Sequence, residues 1–367
     1  MTCRAWRFQF YNETMLIEGI FAATTTPFYA DERIYFRKLE ANMSRYSRSL
    51  LAGMVVLGST GEAPMLNDAE SREVLRVAAE ATAADKVLIA GVGRESVKGT
   101  VELAEAAAKL NYDAVLVRTP SYYAEQMSSA AVLHYFRSVA DRSPLPVVLY
   151  NIPKCVPYQI PVEVVAELAT HPNIIGIKDS SGSVERIRDQ VAATRTAPKR
   201  TVTVTPIFEA VTARMLVPKT AEGAGTFVAA AGLAGGGAVA TQAPPAQQIK
   251  TRTREVGFQV ICGSATALLA SLEAGASGGI LGFGACAPQA CQEIYLAWKD
   301  HDLKLAEEKQ KKILAANKRV VGDLGIAGMK YACDFNGYYG GIPRAPLLPV
   351  TAEERLEIEG LLAEIRN

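Results

Sequence analysis

Eight short runs of this chain are apolar almost without interruption, and they alternate with stretches that carry helical spacing. They are Gly19–Pro27, Gly53–Gly58, Val87–Gly91, Ala114–Val117, Pro146–Tyr150, Ile174–Lys178, Phe258–Cys262 and Gly278–Gly282. A strand with one wet face alternates apolar and polar residues. A strand that is apolar throughout is covered on both faces, as parallel strands under helices are. The stretches between them read as helices over Asp68–Ala81, Val97–Leu110, Ser128–Ala140, Pro161–Ala169 and Ser183–Thr194, with an acid at the start of the first and Pro161 suited to a first turn. Eight βα units in a row predict an α/β fold, a (β/α)8 TIM barrel rather than an open doubly wound sheet.

The chain has 367 residues, more than such a barrel needs. Residues 1–16 read as an N-terminal extension, 17–286 as the barrel and 287–367 as a C-terminal helical region. In that last region Leu303–Val321 is amphipathic, and Thr351–Ile365 opens with a Thr-x-x-Glu capping box. Residues 218–248 are rich in Gly, Ala, Thr and Pro and read as a flexible insert. It falls in a helix-to-strand connection, which belongs at the bottom of a barrel, away from the reaction face.

A net charge of +1 gives no electrostatic argument for nucleic acid or an anionic membrane, and no apolar run is long enough to span a bilayer. Six scattered cysteines without a CxxC pair, and three distant histidines (His134, His171, His301), argue against a zinc site or a disulfide framework. The first residues lack a hydrophobic signal core. Arg4 and Arg7, with no acid before Glu13, leave an organellar presequence open, but an extended start before Met15 in a cytoplasmic protein is the preferred reading.

Catalytic groups of such barrels project from the C-terminal ends of the strands. Four of those ends are polar: Gly58-Ser-Thr-Gly-Glu62, Thr119-Pro-Ser-Tyr-Tyr123, Tyr150-Asn-Ile-Pro153 and Lys178-Asp-Ser-Ser-Gly182. Lys178 follows Ile174-Ile-Gly-Ile177, so it ends a buried strand. A lysine there must snorkel, pair with an acid, or work. Its structural alternative is a salt bridge with Asp179 or Glu62. Its functional one is a desolvated amine that attacks a carbonyl. Tyr150 ends the neighbouring strand, where its phenol can shuttle protons or simply be a core residue. Ser59 and Thr60 sit in a glycine-bracketed turn whose N–H and hydroxyl groups suit a carboxylate, or in an ordinary loop.

At these residues the chain resembles the dihydrodipicolinate synthase / N-acetylneuraminate lyase superfamily of class I aldolases. The markers are Gly58-Ser-Thr-Gly-Glu62, Tyr150-Asn-Ile-Pro153 and Gly176-Ile-Lys-Asp-Ser180, and the likeness runs from Gly19 to Val217 and again from Gly257 to the C-terminus. The resemblance implies that Lys178 is the Schiff-base lysine, Tyr150 the proton-relay tyrosine, and Ser59 and Thr60 the turn that holds the pyruvate carboxylate. A tyrosine after the fourth strand would reach a partner subunit's site. Tyr122 and Tyr123 compete for that role, with Tyr123 preferred. Ile280, in the last strand, joins the substrate-binding set. No cofactor and no metal are implied beyond the covalent imine, and the assembly would be a homotetramer or homodimer.

Dihydrodipicolinate synthases usually carry an arginine two residues past their Tyr-Asn-Val-Pro motif, a register that after Tyr150-Asn-Ile-Pro153 falls on Cys155. Other stretches are similar to 4-hydroxy-2-oxoglutarate aldolases: Met127-Ser-Ser-Ala-Ala131, Ser143–Tyr150, His171–Ile175, Gly263-Ser-Ala265 and Gly337–Pro346. Thr60 stands where some of those enzymes have asparagine, and Ser180 is a candidate donor to a second carboxylate. The expected activity is cleavage of 4-hydroxy-2-oxoglutarate to pyruvate and glyoxylate. The alternative is condensation of pyruvate with aspartate semialdehyde, as in dihydrodipicolinate synthase. A non-catalytic 2-oxo acid sensor is a third reading, and it has no need of an imine-forming amine.

Overall fold

The computed structural model describes residues 15–206, 209–216 and 250–365. Eight strands close into a parallel barrel: β1 (Gly19–Ala23), β2 (Gly53–Val56), β3 (Val87–Gly91), β4 (Ala114–Arg118), β5 (Val147–Asn151), β6 (Ile174–Asp179), β9 (Gln259–Cys262) and β10 (Gly278–Leu281). Between β6 and β9 lies a separate antiparallel ribbon of β7 (Arg200–Val204) and β8 (Arg252–Val256). Each of the eight apolar runs becomes one barrel strand.

The continuous apolarity of these strands divides into two layers. Every barrel strand contributes to the inner cluster, among them Phe21, Val55, Ile89, Leu116, Val148, Ile175, Ile261 and Ile280. Their neighbours Ala22, Met54, Leu88, Val115, Leu149, Ile177, Val260 and Leu281 face outward and pack with helix residues such as Val74, Leu103 and Phe136. Met15 and Ile17 join the inner cluster, and the Ile17 N–H donates to Gln259 Oε1 at 3.0 Å. Full burial of a Leu- or Ile-sized side chain stabilises by roughly 1.5–3 kcal/mol, so the two layers supply the main driving force for closure.

The helices start where short polar side chains can cap them. Ser96, Ser128 and Ser183 each accept a backbone N–H of the following turn. The helix at Asp68–Ala81 is capped by Asn67, one residue earlier than expected, in a full box with Glu70. Thr351 and Glu354 form the box anticipated for the last helix. The amphipathic helix Leu303–Asn317 continues into a π-helical turn over Lys318–Asp323. No helix among the described residues is long and apolar enough to cross a membrane.

The ribbon was not anticipated. Its Val202, Val204 and Val256 pack on Leu16. Arg200 donates to Met15 O and to Gln259 Oε1, and Arg254 pairs with Glu18 at 2.6 Å. The segment after β7 reaches the start of β4, where Asp113 accepts the N–H groups of Ala213 and Leu88, both at 2.8 Å. The ribbon therefore sits at the N-terminal ends of the strands, opposite the polar strand ends. The insert expected over 218–248 lies outside the described residues, as does nearly all of the extension expected over 1–16.

Candidate active site

A one-residue irregularity sets the direction of Lys178. Val147 pairs with Ile174, but the next residue, Val148, pairs with Gly176. The extra residue in β6 inverts its alternation. Ile174 faces the helices, and strict alternation from it would turn Lys178 outward too. Instead Lys178 is in register with Tyr150, whose ring belongs to the inner cluster. Gly176 permits this, because a Cβ there would lie 2.4 Å from Gln259 O.

Lys178 is 4% exposed, and its Nζ lies 4.2 Å from the centre of the Tyr150 ring. Among the described residues no carboxylate pairs with it. Both acids that could have neutralised it are engaged elsewhere. Glu62 binds Lys330 at 2.5 Å. Asp179 accepts from Arg186 Nε at 2.8 Å, Gln190 Nε2 at 2.8 Å, Asn151 Nδ2 at 2.9 Å and the Ser181 N–H at 2.9 Å. Asn151 Oδ1 in turn accepts the Ile160 N–H. This lattice ties the ends of β5 and β6 together, and so fixes Tyr150 against Lys178. Asp179→Asn should weaken the charged bonds and cost about 2 kcal/mol in urea unfolding. A loss under about 0.5 kcal/mol would show that the lattice is incidental.

The Tyr150 hydroxyl lies 3.4 Å from Ser59 Oγ, a distance that a bound oxygen atom can tighten. Ser59, Thr60 and Gly61 form a 3₁₀ turn, whose first N–H groups have no acceptor inside the turn. Thr60 is buried, and a Cβ at Gly282 would sit 3.4 Å from its Oγ1, so the turn packs on the end of β10. Ile280 is fully buried in the inner cluster beneath it. The structure thus brings Lys178, Tyr150, Ser59, Thr60 and Ile280 to one end of the barrel.

A cavity of about 650 Å³ opens beside Ser59 and Tyr150 and extends over the ends of β2 to β5. Its wall includes Leu57, Met65, Leu116, Val156, Ile326 and Leu347, with polar groups from Arg94, Glu95, Arg118 and Ser121. Tyr122 lies on this wall and Tyr123 does not. Both are exposed and pack edge to face at 5.1 Å. Ser180, Lys178, Thr60 and Ile280 are not among the residues that line this cavity; Ser180 follows Asp179 at the end of β6, its Oγ lies where a Cβ at Gly263 would be, and its N–H donates to Asn151 O. Cys155 lines the cavity, where burial pushes its thiol up against the opposing pull of Lys154, Arg118 and Lys178. Lys154 is turned away and donates to Gly322 O at 2.6 Å. Arg118 and Glu95 were missed in the sequence, since each reads as an ordinary polar residue at a strand end.

The model of the dihydrodipicolinate synthetase family matches residues 16–203 and 238–365. The chain is 26% identical over 347 residues to a 4-hydroxy-tetrahydrodipicolinate synthase from Acidiphilium cryptum, covering 95% of this chain and 98% of that one. It is 30% identical over 336 residues to the L-threo-3-deoxy-hexylosonate aldolase of Hypocrea jecorina, covering 90% of each. Among solved structures, a prophage protein of the dihydrodipicolinic acid synthase family from E. coli K12, in complex with pyruvate, shares the fold with a TM-score of 0.75. Identity there is 23%, over 96% of this chain and 99% of that one. On the extent of the family match and the barrel it accompanies, this chain is a lyase of the class I aldolase type and belongs to the dihydrodipicolinate synthetase family.

Proposed function

We propose that Lys178 forms a Schiff base with a 2-oxo acid, and that the chain cleaves 4-hydroxy-2-oxoglutarate to pyruvate and glyoxylate or runs the reverse condensation. The observation that carries this reading is a buried amine with no carboxylate partner among the described residues, held against a tyrosine ring. Nζ attacks C2, and loss of water leaves an iminium. The C3–C4 bond then breaks as the C4 hydroxyl gives up its proton. Its electron pair moves into the iminium, leaving an enamine and glyoxylate. Protonation at C3 and hydrolysis release pyruvate and restore the amine. Tyr150 carries protons in these steps, and the Ser59–Thr60 turn holds the C1 carboxylate. The imine itself supplies the electron sink, so the reading needs no metal or organic cofactor.

The pyruvate bound to the E. coli relative supports pyruvate as one partner. The relatives' names offer two competing reactions, formation of 4-hydroxy-tetrahydrodipicolinate for the synthases and aldol chemistry on L-threo-3-deoxy-hexylosonate for the Hypocrea enzyme. A panel of 2-oxo acids and aldehydes with product identification decides among them. Release of glyoxylate from 4-hydroxy-2-oxoglutarate faster than any competing turnover is the expected result. Faster condensation with aspartate semialdehyde would replace this substrate.

Tyr150→Phe should lower kcat by roughly 10²- to 10⁴-fold, as loss of a positioned acid–base group does, while leaving KM for the oxo acid within a few-fold. An unchanged kcat would remove Tyr150 from proton transfer. The exposed Tyr122 and Tyr123 pair fits a homodimer or homotetramer in which this rim meets a second copy. A monomer in sedimentation at micromolar concentration would refute that assembly.

A further inference from the structure

We propose that Arg118 recognises the carboxylate at the far end of the substrate, and so makes this site selective for dicarboxylic oxo acids. The inference rests on the imine at Lys178 and names the group that reads the rest of the molecule.

Arg118 is the last residue of β4 and is in register with Tyr150. It lines the same cavity as Tyr150 and Ser59. Its side chain is only 19% exposed. Glycine at position 93 is what lets it lie there: a Cβ would come within 2.6 Å of Arg118 Cγ and 2.8 Å of its N. The stem is therefore seated across a notch that a larger residue would fill.

The guanidinium is held but not saturated. One terminal nitrogen donates to Thr119 O and the other to Glu95 Oε1, each at 2.9 Å. The Nε–H and one hydrogen on each terminal nitrogen have no acceptor among the described residues. Glu95 shares its charge with other donors: the Ser121 N–H at 2.8 Å, the Tyr122 N–H at 3.0 Å and Ser121 Oγ at 3.2 Å. It acts as a bracket that orients the guanidinium and leaves a free edge. A largely buried arginine with a free edge on a cavity wall matches a carboxylate in geometry and charge.

The other arginine on this wall does not compete. Arg94 points to the helix behind it, with Ser71 Oγ at 3.0 Å and Asp68 at 3.6 Å. Arg118, Tyr150 and Lys178 stand in register across β4, β5 and β6, which places the two cationic residues two strands apart, on either side of Tyr150. A short oxo acid joined to Lys178 can then extend its distal end past Tyr150 toward Arg118.

The test uses two ligands with the same five-carbon skeleton. 2-Oxoglutarate has a distal carboxylate and 2-oxopentanoate a methyl group. Each is titrated against the full-length protein, and borohydride fixes the imine on Lys178 for quantification by mass spectrometry. Wild type should trap 2-oxoglutarate at a roughly 10- to 100-fold lower concentration than 2-oxopentanoate, the range expected of a charged hydrogen-bonded contact. Arg118→Gln should bring that ratio close to one without changing the titration with pyruvate, and Arg118→Lys should keep part of it. Gly93→Ala, which displaces the stem, should also reduce it. No preference in wild type, or a preference that survives in Arg118→Gln, overturns the assignment. A wild-type protein that forms no adduct with pyruvate overturns the imine reading beneath it, which is a separate result.

Discussion

Lys178→Ala is expected to lose turnover by roughly 10⁴-fold or more while its unfolding midpoint stays close to that of the wild type. The size follows from the chemistry. Without the amine there is no iminium, and the C3–C4 electron pair has nowhere to go. The stability follows from the partners: Lys178 makes no ion pair among the described residues, and its main contact is with the Tyr150 ring. Removing it breaks no salt bridge and leaves no carboxylate stranded. Borohydride with pyruvate should add mass to the wild type at Lys178 alone and none to the variant. An adduct on another lysine, or activity within 100-fold of wild type, would place the nucleophile elsewhere.

The second large effect is on folding. Glu62→Ala should cost about 3–5 kcal/mol in denaturant unfolding, because it strands a charge in the interior. Lys330 is fully buried, with Nζ 2.5 Å from Glu62, 2.8 Å from Ile342 O and 4.2 Å from the centre of the Phe28 ring. Burial pushes its ammonium down and Glu62 opposes that. In the variant the downward push of burial is opposed only by the smaller pulls of Cys333 and Asp334, so the unfolded chain binds the proton more readily than the folded one. Stability should then recover as pH rises through the alkaline range, the sign expected when the unfolded state holds more protons. The double variant Glu62→Leu/Lys330→Met should regain most of the loss, since an apolar pair carries no desolvation cost. If Glu62→Ala costs less than about 1 kcal/mol, the pair is not the lock it resembles. Glu62 also accepts the Arg344 N–H at 2.9 Å and closes the turn that holds Ser59 and Thr60. The variant should therefore bind pyruvate more weakly as well.

The barrel was legible because strands covered on both faces cannot hide. Lys178 was legible for the converse reason: a cation at the end of Ile174-Ile-Gly-Ile177 needs an explanation. Arg118 has the same local setting, after Ala114-Val-Leu-Val117, yet reads as the solvated end of a strand. Only its pairing with Tyr150 and the notch at Gly93 bring it to the cavity wall beside Ser59 and Tyr150. The Asp179 lattice was illegible because Arg186 and Gln190 come from the next helix, and a helical polar residue usually faces water. The β7–β8 ribbon was missed because its partners are far apart in sequence and neither Arg200–Val204 nor Arg252–Val256 is apolar throughout. The charged helix Phe36–Ser47 escaped similarly, its Leu39, Met43 and Tyr46 being too sparse to announce a buried side.

The extra residue in β6 has a consequence for how such a catalyst can be gained or lost. Were the same residues paired regularly after Ile174, with no extra residue bulged out, the barrel would keep its strand order but Lys178 would fall on the face of Ile174, and the amine would point into the helical shell. Catalytic competence in this scaffold is in that sense a matter of parity. An odd-length slip erases it, an even one preserves it, and overall topology records neither event.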